Sequence, residues 1–109
     1  MITLATLPQA TEREVFEQVK AHLLTQNEVS KDVYCVYRNK EGLKCAAGCL
    51  IGDDEYKQEM EYNNWTSLVK KELVPKKHDI LISRLQEIHD NSAPSQWEYK
   101  LQELETTLK

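Results

Sequence analysis

Glycine and proline are scarce in this chain, three of each among 109 residues. A sandwich or barrel of many short strands needs more turn residues than that, so the shortage favours helices. No apolar stretch approaches the ~18 residues of a membrane-spanning helix, and no membrane association is expected. The opening Met1-Ile2-Thr3-Leu4-Ala5-Thr6-Leu7-Pro8 has neither the basic region nor the long apolar run of a secretory signal, which points to the cytoplasm. Positive charge is in deficit: 14 Lys and Arg against 18 Asp and Glu give a net charge of −4. Neutralising phosphates takes an excess of cations, so nucleic acid is disfavoured as the main partner. Cysteines number three, an odd count that cannot pair fully within the chain, and without export they read as reduced thiols.

What is present describes one globular domain over residues 1–109, with 1–10 as an extended lead-in. Hydrophobic residues make up 40% and the charge is mixed in sign, enough for a core without metal or disulfide staples. Thr11 and Glu14 have capping-box spacing, and Val15, Phe16, Val19, Leu23 and Leu24 share one face of the helix that follows, to about Gln26. Val33 to Arg38 is rich in β-branched and aromatic residues and reads as a strand. Asn39-Lys40-Glu41-Gly42 supplies turn chemistry. Asp53 is placed to cap a short acidic helix over 54–60. Thr66 or Ser67 opens another helix, running to about Leu73 before Pro75. Asp79 caps a third, carrying Leu81, Ile82, Leu85 and Ile88. Ser95 and Glu98 repeat the capping-box spacing ahead of the stripe Trp97, Leu101, Leu104 and Leu108. The expected fold is therefore α+β, mainly α: four to five helices packed around a short β-hairpin near residues 33–50.

Residues 43–51, Leu-Lys-Cys-Ala-Ala-Gly-Cys-Leu-Ile, form the least polar window. As a helix, Cys45, Gly48, Cys49 and Gly52 make one face of small side chains that lets another backbone approach. As a strand, Cys45, Ala47, Cys49 and Ile51 share a face. Both forms bury the segment, and periodicity alone does not separate them. Tyr37-Arg38, Gly42 to Ile51 and Asp53 to Tyr56 together resemble a segment found in small proteins of bacteria and their phages that carry no assigned activity. The resemblance implies a bacterial or phage setting and transfers no catalytic residue.

Chemistry-bearing residues are present without family spacing. Cys45 or Cys49 is a candidate thiol nucleophile, with His22, His78 or His89 available as base. Cys45 and Cys49 are separated by three residues, not the two of a zinc knuckle, although Cys35 and one histidine complete a Cys3His set on paper. Asp53-Asp54-Glu55 lacks the alternating ligands of a calcium loop. The lysines at 70, 71, 76 and 77 have few stacking aromatics beside them. Packing explains the small cysteine-bearing stretch better than reactivity does. The leading expectation is a non-enzymatic interaction protein, such as a phage accessory or host-defence inhibitor, with no cofactor or metal. It would bind a protein partner with a basic surface through Trp65, Asp53, Asp54, Glu55, Glu59 and Glu61. The alternatives are a small cysteine-dependent enzyme and a structural zinc module.

Overall fold

The computed structural model describes residues 1–32 and 34–108. Four α-helices are seen among them: α1 (Glu12–Gln26), α2 (Trp65–Lys70), α3 (Asp79–Asn91) and α4 (Pro94–Glu105). Thr11 opens α1 as its spacing predicts. Its hydroxyl accepts from the Glu14 N–H at 3.1 Å, and the Glu14 carboxylate accepts from the Thr11 N–H at 2.8 Å. Two orphan amides of the first turn are thereby satisfied. Asn27, at φ 53, ends the helix in the left-handed conformation that Asn tolerates. Val15, Phe16, Val19 and Leu23 are fully buried.

Helices α3 and α4 pack on each other and on α1, and α2 packs on α3. Leu81, Ile82 and Leu85 of α3 enter the core with Trp97, Leu101 and Leu104 of α4, while Ile88 and Leu108 pack on its margin. Two helix starts differ from expectation. Pro94 already occupies the first turn of α4, so Ala93 is its N-cap and Ser95 lies inside the helix. His78, at φ 68, caps α3 and leaves Asp79 in its first turn.

The expected β-hairpin at 33–50 is not formed; Val33 itself lies outside the described residues. The turn is present: the Asn39 side chain accepts from the amides of Glu41 and Leu43, and Gly42 takes φ 84. One antiparallel bridge, Arg38 with Lys44, follows it. Pairing stops there because one of the two bonds of the next rung loses both its donor and its acceptor. The Cys45 N–H still reaches the Tyr37 carbonyl at 3.3 Å. The reciprocal donor, the Tyr37 N–H, goes instead to the Glu61 carboxylate at 2.9 Å. Its would-be acceptor, the Cys45 carbonyl, takes the Cys49 N–H at 3.3 Å as the chain coils into a 3-10 turn over Ala47–Leu50. The described chain is thus helical with connecting loops, and no strand is found in it.

The stripe of small residues matters at one point. A Cβ on Gly48 would stand 2.3 Å from the Tyr37 carbonyl oxygen, so only glycine permits that backbone approach. Two further expectations fail. Asp54 to Met60 is a turn followed by a 3-10 segment, Gln58–Met60, rather than an acidic helix. Residues 1–10 are not an extended lead-in. The chain turns at Thr3–Leu7 and coils over Leu7–Gln9, placing Leu4, Leu7 and Ala10 in the core. Each leucine so buried removes roughly 1.5–3 kcal/mol of apolar exposure.

The Glu55 carboxylate latches this N-terminal segment, accepting from the amides of Leu4, Ala5 and Gly52 at 2.9, 3.0 and 2.8 Å. Partial burial pushes its pKa up, but the three amides outweigh that and hold it below its ordinary value. A lowered carboxylate pKa contributes stability above the unfolded value, about 4.3, that is lost as pH falls through the folded one. Protection of the Leu4, Ala5 and Gly52 amides against hydrogen exchange should therefore fall below about pH 4 before that of α1 does. Equal protection of these amides at pH 3 and pH 6 would show the latch to be unimportant.

Candidate functional site

The acidic residues and the tryptophan expected to form one binding patch divide between core and surface. Trp65 is 1% exposed and packs edge-on against Tyr37, with ring centroids 6.4 Å apart. It is core, not surface. Glu61 is also buried, accepting from the Tyr37 and Arg38 amides at 2.9 and 3.2 Å and from the Tyr56 hydroxyl at 2.6 Å. Glu55 is the latch. Asp53 is exposed but receives Arg38 Nη1 at 2.9 Å and Lys44 Nζ at 3.7 Å. Asp54 and Glu59 remain exposed.

The thiols are poorly placed for nucleophilic work. Cys45 is fully buried, and that burial pushes its pKa well up. Burial likewise raises Cys49 to about 12 against the opposing pull of Lys44, and its thiol donates to the Ala46 carbonyl at 3.1 Å. Cys35 is half-buried and raised by burial first and by the Asp90 carboxylate next. A thiolate is the reactive form. A thiol reagent at pH 7 should therefore find no fast-reacting cysteine in the native protein, and all three in the unfolded chain. One rapid native thiol would restore the enzyme reading.

Cys35, His89 and Asp90 come together, with their ligand atoms all within 4.8 Å of one another. Sequence reasoning offered the histidines as bases for Cys45 or Cys49 and set Cys35 with one unnamed histidine in a Cys3His group; it missed the grouping with Asp90, since nothing in the spacing joins residue 35 to α3. Its chemistry is limited by the imidazole. His89 Nε2 lies 2.9 Å from the Ser30 amide nitrogen, which can only donate, so Nε2 must accept. The ring proton then sits on Nδ1, 2.7 Å from Asp90 Oδ1. Neither nitrogen keeps a free lone pair for a metal or for the Cys35 proton. Trp97 stacks on the ring at 5.6 Å and completes a buried, satisfied histidine. His22 and His78 likewise bond to backbone carbonyls, those of Lys44 and Ala10, at 2.9 and 2.7 Å.

The feature that packing does not absorb lies beside this cluster. Tyr34 and Tyr62 are 66% and 80% exposed and meet edge to face, centroids 6.5 Å apart at 84°. Tyr62 adopts φ 63, an outlier for a bulky side chain that costs of order 1–3 kcal/mol. Its neighbours enforce it. Glu61 is pinned by its three donors. Asn63 donates through Nδ2 to the carbonyls of Glu59 and Glu61 at 3.1 and 3.0 Å, and its own carbonyl accepts from the Tyr37 hydroxyl at 2.6 Å. Asn64 caps α2 through the Ser67 amide. The corner 59–64 is over-determined, and Tyr62 is held out at its apex. Two clefts flank it. One, of about 220 Å³, includes Cys35, Glu61 and Asp90 in its wall. The other, of about 390 Å³, includes Asp32, Arg38 and Tyr56.

No protein-family model matches the chain, and neither a curated protein nor a solved structure matches it. No helix among the described residues is long and apolar enough to cross a membrane.

Proposed function

We propose that this protein acts by binding another protein through the face that carries Tyr34 and Tyr62, modulating that partner rather than transforming a substrate. The observation that carries the reading is Tyr62: a large aromatic, mostly solvated, held in a strained backbone conformation by a rigid corner. Folding alone gains nothing from such an arrangement. A preorganised aromatic, by contrast, lowers the ordering cost of association, and tyrosine is enriched among interface anchors. The raised thiols and the bonded histidines support the same reading by leaving no activated nucleophile or base nearby. The resemblance at residues 37–56 adds a bacterial or phage setting and no activity; a small phage accessory protein that inhibits host defence is one form such a binding protein takes. Relative to the sequence-based patch, the face moves from residues 53–61 to the two tyrosines, with Asp32 and Asp90 nearby to meet a basic partner.

Tyr62→Gly separates binding from folding. Glycine accepts positive φ without strain, so relief of the backbone offsets the lost Tyr34 contact and stability should stay within about 1 kcal/mol of the parent. A photoreactive phenylalanine at position 62 should yield one discrete adduct in host lysate, absent when it is placed at exposed Tyr99 instead. Affinity for that purified partner should fall about thirtyfold in Tyr62→Gly, as for an interface anchor worth about 2 kcal/mol. Undiminished affinity in a folded Tyr62→Gly protein would refute the reading.

A further inference from the structure

The smaller cleft beside Tyr62 has a composition that names its occupant. Its walls include two carboxylates, Glu61 and Asp90, and no lysine or arginine. The Glu61 oxygens are used, by the Tyr37 and Arg38 amides and the Tyr56 hydroxyl. Asp90 is different. Gln86 Nε2 and His89 Nδ1 both bond to Oδ1, at 2.8 and 2.7 Å; the Cys35 thiol, a weak donor, also hydrogen-bonds to the carboxylate, and among the described residues no N–H or O–H is donated to Oδ2. The aspartate side chain is also 34% exposed, so a group entering from solvent can reach it. Tyr62 forms part of the same wall and meets Tyr34, which puts an aromatic pair at the edge of an anionic recess. At about 220 Å³ the recess falls below the roughly 300–1,000 Å³ of small-molecule sites, yet it accommodates one extended side chain.

We propose that this cleft is the socket for a cationic side chain, lysine or arginine, presented by the protein partner. The inference rests on the interface reading above and specifies it. The cation would bond to Asp90 Oδ2 while its aliphatic stem lies along Tyr62. A carboxylate beside an aromatic ring is a pairing that favours ammonium and guanidinium groups over neutral ones. The absence of any cation in the cleft wall, in a chain of net charge −4, makes the complementarity local as well as global.

The socket can be tested without the partner. N-acetyl-lysine methylamide and N-acetyl-arginine methylamide, titrated to tens of millimolar into isotopically labelled protein, should give saturable amide shifts at Cys35, Tyr62, Asn63 and Asp90. N-acetyl-norleucine methylamide, which has the stem without the charge, should bind about tenfold more weakly, and Asp90→Asn should weaken the lysine probe by a similar factor. Asn keeps an acceptor for His89 and Gln86, so the fold should survive; should it not, the lysine-against-norleucine comparison on the parent protein still decides. Equal binding of norleucine, shifts confined to other surfaces, or no saturable shift overturns the socket. If the probes fail while Tyr62→Gly still abolishes partner binding, the interface stands and only its cationic anchor falls. If the probes bind and Tyr62→Gly leaves partner affinity unchanged, the interface reading falls on its own.

Discussion

Trp97→Ala should lower the free energy of unfolding by about 3–5 kcal/mol, the range for emptying a large aromatic site in a packed core. The indole is fully buried on α4 and donates through Nε1 to the Ser92 carbonyl at 3.1 Å. Its ring stacks on His89, whose Nε2 in turn holds the Ser30 amide. Ser30 continues the chain of contacts, its single hydroxyl proton shared between the carbonyls of Val36 and Leu43 at 2.8 and 3.0 Å. One side chain therefore ties α4 to α3 and, through the imidazole, to the loop that carries Tyr34. Against a typical stability of 5–15 kcal/mol, the loss is large enough to unfold a good fraction of molecules in mild urea. Urea titration followed by circular dichroism measures it directly. Trp97→Phe keeps most of the apolar contact and should cost less than half as much. A loss below about 1 kcal/mol for Trp97→Ala would mean that the stack carries no weight.

The helices that sequence reasoning placed well are those whose signals are local. In α1 the cap, the carboxylate three residues on and the apolar spacing all lie within one segment. The stripes of α3 and α4 are legible for the same reason. Boundaries slipped where two local signals competed: Pro94 in the first turn overrode Ser95 as a cap, and Asn64 capped α2 where Thr66 or Ser67 had been favoured. That same error misplaced Trp65. Trp65 has polar neighbours on both sides, yet Asn64 is polar because it caps, and the first helical residue after it turns inward. The hairpin failed for a reason no window can contain. Its turn and first bridge are local and correct; its second rung is lost to Glu61, twenty-four residues from Tyr37 along the chain. The Tyr34–Tyr62 pair is equally invisible, being formed between two loops with no periodicity to announce it.

Glu61 thus separates two accounts of this protein, and its replacement is the second large effect. If Glu61 were part of an acidic binding patch, Glu61→Ala would leave stability nearly untouched and weaken a partner. The structure gives the opposite expectation. Removing the carboxylate orphans the Tyr37 and Arg38 amides and the Tyr56 hydroxyl, each at a cost of about 1–3 kcal/mol if it stays dry. Clefts border the residue on two sides, and water entering them would recover part of that. A net loss of about 3 kcal/mol follows. Glu61→Gln tests the geometry more finely. Its NH2 group must replace either Oε1, facing the Tyr37 amide, or Oε2, facing the Arg38 amide, and a backbone N–H cannot accept in return. One amide is orphaned in either orientation, so the glutamine variant should lose about 1–3 kcal/mol although its shape is unchanged. Asp54→Ala and Glu59→Ala, at exposed positions, should stay within about 0.5 kcal/mol of the parent. Should chemical denaturation place Glu61→Ala alongside those two, the buried carboxylate would not be what diverts Tyr37 from the hairpin, and the rigid corner presenting Tyr62 would lose its support.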